Sequence, residues 1–513
     1  SPTSSSTAVS GAGGMGGSPA SSSTAVSGTG GMGGSGGADA AGTTASSSTG
    51  VGGSGGAASS SSTASSGVGG GGGCGPGSGT LCWAERFGNG NILPAALATD
   101  SSGNIFVTGH FGGVVNFGNG PLTSAGNEDM FLVKFNPGGQ SIWSKRFGSA
   151  QREWGSSLAV DGNGDVVVTG LFDSSVNFGG GTLTAAGGYD IFLAKFDSSG
   201  AYIWAKIFGD SGLQRASGVA VDGAGNVFVE GTNWDTVNFG SGPLTSTGPN
   251  GALTLAKFDP GGAPLWSHIF QNTGNAYAPV CSGVAVDGQG SAVIAGAFYG
   301  SIDFGAGSLV SAGKLDAFVV KLDPGGNLTW VKRFGDGLYQ EVSHAAVDPN
   351  GNIFLTGNFN GSLNFGSGSM VSVGLGDIFL AKLDPSGNGL WSKRFGDITS
   401  KNAGFSGQVV TADAAGNAIM SGSLYGNADF GGGFLEGAQS SQGGFPYVAK
   451  FDGAGTYAWA YTGNTEHVGA QAVGTDPGGE VILSGSLGNP VSFAGANLTP
   501  TGFSDIYVLK LTP

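Results

Sequence analysis

From residue 81 onward the chain repeats itself in register, and that register constrains the fold more than any other feature. Tryptophan recurs at Trp83, Trp143, Trp204, Trp266, Trp330, Trp391 and Trp459, a period of 60 to 68 residues. Asp closes a short apolar run at Asp100, Asp161, Asp222, Asp287, Asp348, Asp413 and Asp476. Nine residues after each comes a glycine, and seventeen after each a phenylalanine, from Phe117 to Phe493. A lysine follows every time, from Lys134 to Lys510, so seven units are present.

Each unit reads as four strands, here lettered A to D. In the second unit these are SSLAVD, DVVVTGLF, YDIFLAKF and YIWAKIFG. The turns between them, such as DGNGD and FDSSG, carry the Asp, Asn and Gly that tight hairpins need. The residue two before the strand A Asp is always small (Ala98, Ala159, Ala220, Ala285, Ala346, Thr411, Gly474), as crowding near a central axis demands. Helical spacing of apolar residues is absent, and 106 glycines interrupt nearly every run. The first Trp lies in a strand D, LCWAERFG, with no A to C before it, and the last unit stops at a strand C, DIYVLKL. One strand from the start and three from the end complete a blade, which closes a ring and removes its free edges. The expectation is an all-β seven-bladed β-propeller of four-stranded antiparallel blades over residues 74–513, most simply a monomer.

Residues 1–73 are almost entirely Ser, Gly, Ala and Thr, with Asp39 as the one charge, and cannot bury enough apolar surface to offset chain entropy. Ser4 to Ser18 recurs nearly unchanged as Ser21 to Ser35, which fits a length-tunable spacer. A disordered tether of this length would reach roughly 40 to 50 Å root-mean-square. Cys74 and Cys82 bracket the point where low complexity ends and are placed to close a short disulfide, with three unpaired thiols as the equal alternative; Cys281 has no evident partner. No run of 18 apolar residues spans a membrane. The start at Ser1 fits a mature chain after removal of a signal peptide, or a lipoprotein with its lipid anchor upstream of Ser1, so the expected location is secreted or outer cell surface.

The patterns W-S-K-R-F-G, V-A-V-D-G-x-G-N-V-F-V-T-G, V-N-F-G-x-G-x-L-T-S-A-G and D-I-F-L-A-K-F-D-P-x-G resemble the bacterial beta-propeller repeat family often called SBBP, over residues 81–513. The resemblance implies a secreted or surface-anchored bacterial protein, often a lipoprotein, and implies no particular activity. Unit three departs from the pattern with Trp234 and with Ala252 where five units have Asp, and unit six has Phe445 at that position.

Residues repeated seven times build scaffold, so function is sought among the departures. Of 19 Lys and Arg, only Arg152, Arg215, Lys314 and Lys401 lie outside the repeat, and with a net charge of -15 a nucleic-acid site is excluded. Hairpin geometry explains the Asp-rich turns better than calcium does, and the Asp190 and Lys195 pair of strand C reads as a repeated structural contact. The four histidines occupy unrelated repeat positions, so no metal is expected, and no cofactor motif appears. His344 stands on strand A, facing the axis, and Glu230 replaces a Ser or Thr of strand B, with Lys257 as its expected partner.

Loops from D to the next A and from B to C emerge on one face, where the departures gather. The candidate ligand-binding residues are Arg152, Trp154, Arg215, Trp234, Tyr277, Tyr339, His344, Lys401 and Phe405. Exposed Trp beside Arg suits stacking on sugar rings or anchoring a protein, against the alternative of loops packing on one another. The leading expectation is a surface binding or adhesion module for a glycan or protein. The competitors are a glycosidase or polysaccharide lyase using Glu230, His344 or Glu341 in an axial funnel, and a structural matrix protein whose face has no pocket.

Overall fold

The computed structural model describes residue 74 and residues 77–88, 90–272, 278–397, 408–439 and 443–513. The tether and the candidates Tyr277, Lys401 and Phe405 lie outside the described residues.

Seven four-stranded antiparallel sheets form the blades of the propeller. In blade 2, strands A to D are Glu153–Val160, Val166–Phe172, Asp190–Phe196 and Tyr202–Phe208, hydrogen-bonded in that order. Blade 7 takes its outer strand from the other end of the chain: Leu81–Phe87 pairs antiparallel with Asp505–Leu511, with Arg86 opposite Tyr507. Between strands B and C each blade adds a short hairpin, such as Ser175–Asn177 with Thr182–Thr184. In blade 4 that hairpin is continuous with the blade, giving long strands Ala292–Asp303 and Ser308–Leu322.

The core is divided among the spaces between neighbouring blades. Phe106, Met130 and Leu132 of blade 1 pack on Leu158, Val168 and Phe192 of blade 2, and six further clusters repeat the arrangement around the ring. Blades splay apart away from the axis, so the outer gap needs filling. The repeated Phe at the hairpin tip does this. Phe178 of blade 2 lies 5.2 Å from Phe147 of blade 1 and 5.0 Å from Phe192 of its own strand C. Burying such a ring contributes about 2–3 kcal/mol per blade.

The repeated charged residues tie the strands of each blade together. Each strand C lysine meets the Asp that ends strand A of its own blade, as in Lys195 to Asp161 at 2.8 Å and Lys510 to Asp476 at 2.8 Å. The pairing of Asp190 with Lys195 expected from sequence is therefore wrong: one residue opens strand C and the other lies near its far end, where strand A terminates. The Asp that opens strand C takes an arginine of strand D instead, in Arg146 with Asp129, Arg333 with Asp316, Arg394 with Asp377 and Arg86 with Asp505. In blade 2 that strand D position is Ile207, and burial raises the Asp190 pKa. The calcium-like turns spend their oxygens internally: Asp161 Oδ1 accepts from the amides of Asn163 and Asp165 while Oδ2 holds Lys195.

Framework indoles donate across blades to the next C-to-D turn, as in Trp143 to Ser198 O at 3.3 Å and Trp204 to Pro260 O at 3.1 Å. Trp83 reaches Pro137 O at 3.0 Å, so the N-terminal strand joins blade 7 to blade 1. Blade 7 has no C-to-D turn, because its C and D strands come from opposite ends, and Trp459 Nε1 has no hydrogen bond among the described residues. Residues 77–80 occupy the vacated place: a Cβ on Gly79 would sit 2.9 Å from the Trp459 ring. The Thr80 amide donates to Thr512 Oγ1 at 2.7 Å, and a Cys74–Cys82 disulfide closes the seam.

Candidate functional site

Strands A of all seven blades line an axial cavity of about 470 Å³. The wall is tightly packed at the expected small position of blade 7, where a Cβ on Gly474 would lie 3.0 Å from Leu97 Cδ2, and two residues earlier in the strand in blade 3, where a Cβ on Gly218 would lie 2.6 Å from Gly283 Cα in the adjoining blade. His344 stands in this wall, half-buried. Its Nδ1 faces the Val410 amide at 3.5 Å, and burial lowers its pKa to about 4, so it is neutral at physiological pH.

Glu230 is 1% exposed on strand B of blade 3, and burial raises its pKa to about 8, an effect the Cys281 thiol beside it offsets only in part. Lys257 is not its partner; that lysine meets Asp222 at 3.2 Å and Pro324 O at 3.2 Å, which corrects the sequence expectation. Glu341, at the start of strand A in blade 5, has a pKa raised to about 7 by burial. No hydrogen bond joins any two of Glu230, His344 and Glu341 among the described residues, and Glu230 is sealed from the cavity. These three do not assemble an acid–base pair.

The loop-rich face instead carries two separate features. On the arc of blades 1 to 3, flat groups stack into one continuous ridge. His110 lies 4.9 Å from Trp154 with planes 26° apart, and Tyr189 follows at 6.4 Å and 22°. The Arg215 guanidinium comes next, 5.9 Å from the Tyr189 ring and 5.8 Å from the Trp234 ring. Arg152 flanks the row, 5.8 Å over Trp154 and 3.3 Å from Tyr189 Oη, while Trp154 Nε1 donates to Glu128 at 3.0 Å. Burial lowers the His110 pKa against the opposing charge of Glu128. A Cβ on Gly251 would lie 3.1 Å from Trp234 Cε2, so the ring faces are largely taken up within the protein. What the ridge presents outward is ring edges and the exposed guanidinium of Arg215, which has no ion pair among the described residues. Farther round, Lys314 sits 4.5 Å over Tyr339. Three of the four cations outside the repeat thus lie on aromatic rings.

Between blades 6 and 7 the same face opens into a cleft of about 700 Å³. Gln471 forms its floor, bonded both ways to Ser486: its amide donates to Oγ at 2.7 Å and its carbonyl accepts from the Ser486 N–H at 2.8 Å. His467 lines one wall with a φ of 62°, held there by its carbonyl accepting from the Gly488 amide at 2.9 Å. A non-glycine residue in this region costs about 1–3 kcal/mol and marks sites where surroundings over-determine the backbone. Phe503 stands at the lip, 87% exposed. The strand and loop departures placed Trp154, Arg215 and Trp234 together; His110 stood in the sequence only among four histidines at unrelated repeat positions, and Tyr189 and Phe503 carried no assigned role, although each is an aromatic residue in a loop otherwise built of small and polar residues.

No protein-family model matches the chain. An uncharacterised WD repeat-containing protein of Acanthamoeba polyphaga mimivirus is 23% identical over 81% of this chain; the chain spans 37% of that relative's length. Among solved structures, the WD40 propeller domain of Doa1 is 8% identical, with a TM-score of 0.42 over 84% of this chain and 96% of that one. A variant of Synechocystis apocarotenoid oxygenase is 14% identical, with a TM-score of 0.38 over 86% and 94% of the two chains.

Proposed function

We propose that the chain is a non-enzymatic binding module, displayed outside the cytoplasm, whose macromolecular ligand docks on the loop-rich face with the ridge from His110 to Trp234 as its anchor. The observation that carries this reading is Arg215. It is exposed and lacks an ion pair among the described residues, in a chain of net charge -15, and it lies between the rings of Tyr189 and Trp234. Interface centres favour Arg, Trp and Tyr, which cover a large area and keep a polar tip for hydrogen bonding. The covered ring faces favour a protein ligand here over a stacked sugar. The Cys74–Cys82 disulfide supports an oxidising location, and the low-complexity segment suits a spacer. On its repeat motifs the chain is read as an SBBP-type propeller.

Cell-envelope proteins of the source organism, passed over the immobilised chain, test the reading. A protein retained by the wild type is expected to bind at least ~30-fold more weakly to an Arg215→Ala, Trp234→Ala variant, as for loss of a central anchor. Equal retention on both would overturn the proposal.

A further inference from the structure

We infer that the cleft between blades 6 and 7 is a binding site for a neutral saccharide. It is separate from the ridge, which lies on blades 1 to 3, and its argument does not use Arg215. Its volume of about 700 Å³ falls within the roughly 300–1,000 Å³ of small-ligand sites.

The lining chemistry selects the ligand. None of the residues lining the cleft is Asp, Glu, Lys or Arg. A phosphate, uronate or sulfated sugar would therefore enter without a counter-charge in a chain that is acidic overall. Hydroxyl, amide and imidazole groups line it instead. The side chains of Ser423, Tyr425 and His467 make no hydrogen bond among the described residues, and Asn489 uses only its Nδ2, donating to Glu466 O at 3.0 Å. Donors and acceptors left open in this way match the dense, uncharged hydroxyls of a sugar. Phe503 supplies the complementary surface: an 87% exposed ring at the lip, able to cover the C–H face of a pyranose. The floor is rigid, because Gln471 spends both ends of its amide on Ser486, and the left-handed backbone of His467 fixes the wall. A lipid tail would leave these polar groups unpaired, which disfavours an apolar occupant.

The test titrates the full chain with maltohexaose, cellohexaose, laminarihexaose and chitohexaose by calorimetry, with polygalacturonate and a neutral Gly/Ser peptide as contrasts. At least one neutral oligosaccharide is expected to bind. Phe503→Ala should weaken it tenfold or more, and Phe503→Trp should retain it. Arg215→Ala should leave it unchanged, so the ridge and the cleft stand or fall separately. Because Phe503 is exposed, its alanine variant should melt with the wild type, and thermal melts check this. Binding of none of the four sugars, equal binding by Phe503→Ala, or binding confined to polygalacturonate or the peptide would overturn the assignment.

Discussion

Glu230→Thr is expected to stabilise the propeller by about 4 kcal/mol at pH 8 and by far less at pH 5, following from a carboxyl held at a pKa of about 8 against an ordinary value of 4.5. Between those two values the folded chain keeps a proton that the unfolded chain has released. Wild-type stability therefore falls as pH rises through this window. Threonine removes the titrating group and restores what three other blades have: Thr108, Thr169 and Thr356 donate to strand C carbonyls at 2.7–2.9 Å. Denaturant unfolding of both proteins at pH 5, 6, 7 and 8 checks this. The difference should widen steadily with pH, and parallel curves would show that Glu230 ionises in the folded state at its ordinary value.

Removal of residues 1–87 should abolish cooperative folding, whereas removal of residues 1–70 should leave the melting temperature within about a degree. The segment Leu81–Phe87 is the outer strand of blade 7. Its loss bares the edge of Asp505–Leu511, an aggregation-prone template. It also removes Ala84 and Phe87 from two inter-blade cores and takes Trp83 from Pro137. The buried Asp505 would lose Arg86, at 2.5 Å, and an unpaired buried charge alone costs about 3–5 kcal/mol. Thermal melts and sedimentation of the two truncations separate these outcomes; a long truncation that melts like the wild type would contradict the closure.

The ring was legible because its markers are local and repeated. Trp, Phe and Lys each solve one packing problem seven times, so register alone reveals strand order and the closing strand. The partner of each charge was not legible. Asp190 and Lys195 are close in sequence, yet the lysine meets Asp161, because strand C runs antiparallel to strand B and brings its far end back to the turn that follows strand A. Glu230 and Lys257 lie on neighbouring strands, yet this lysine too turns to the Asp that closes strand A, and the cross-blade contact of Glu230 with Cys281 has no sequence signal. At the candidate site, Trp154, Arg215 and Trp234 stood out as departures from the repeat. The stacking that joins them needed Tyr189, whose place between two blades is a matter of loop geometry. The cleft depends on backbone shape at His467 and on one loop phenylalanine, and neither follows from a repeat.

Hydrogen exchange on the native chain tests the closed ring most directly. The amides of Ala84 to Phe87 lie in register with Leu509 to Ile506 in the outer ladder of blade 7. Those among them that donate into this ladder, alternate residues of an edge strand, should exchange only through global unfolding, as slowly as the amides of Val481–Leu487 in the same sheet. Exchange of every amide of residues 84–87 within seconds, while blades 1 to 6 stay protected, would contradict a propeller closed by its N-terminal strand.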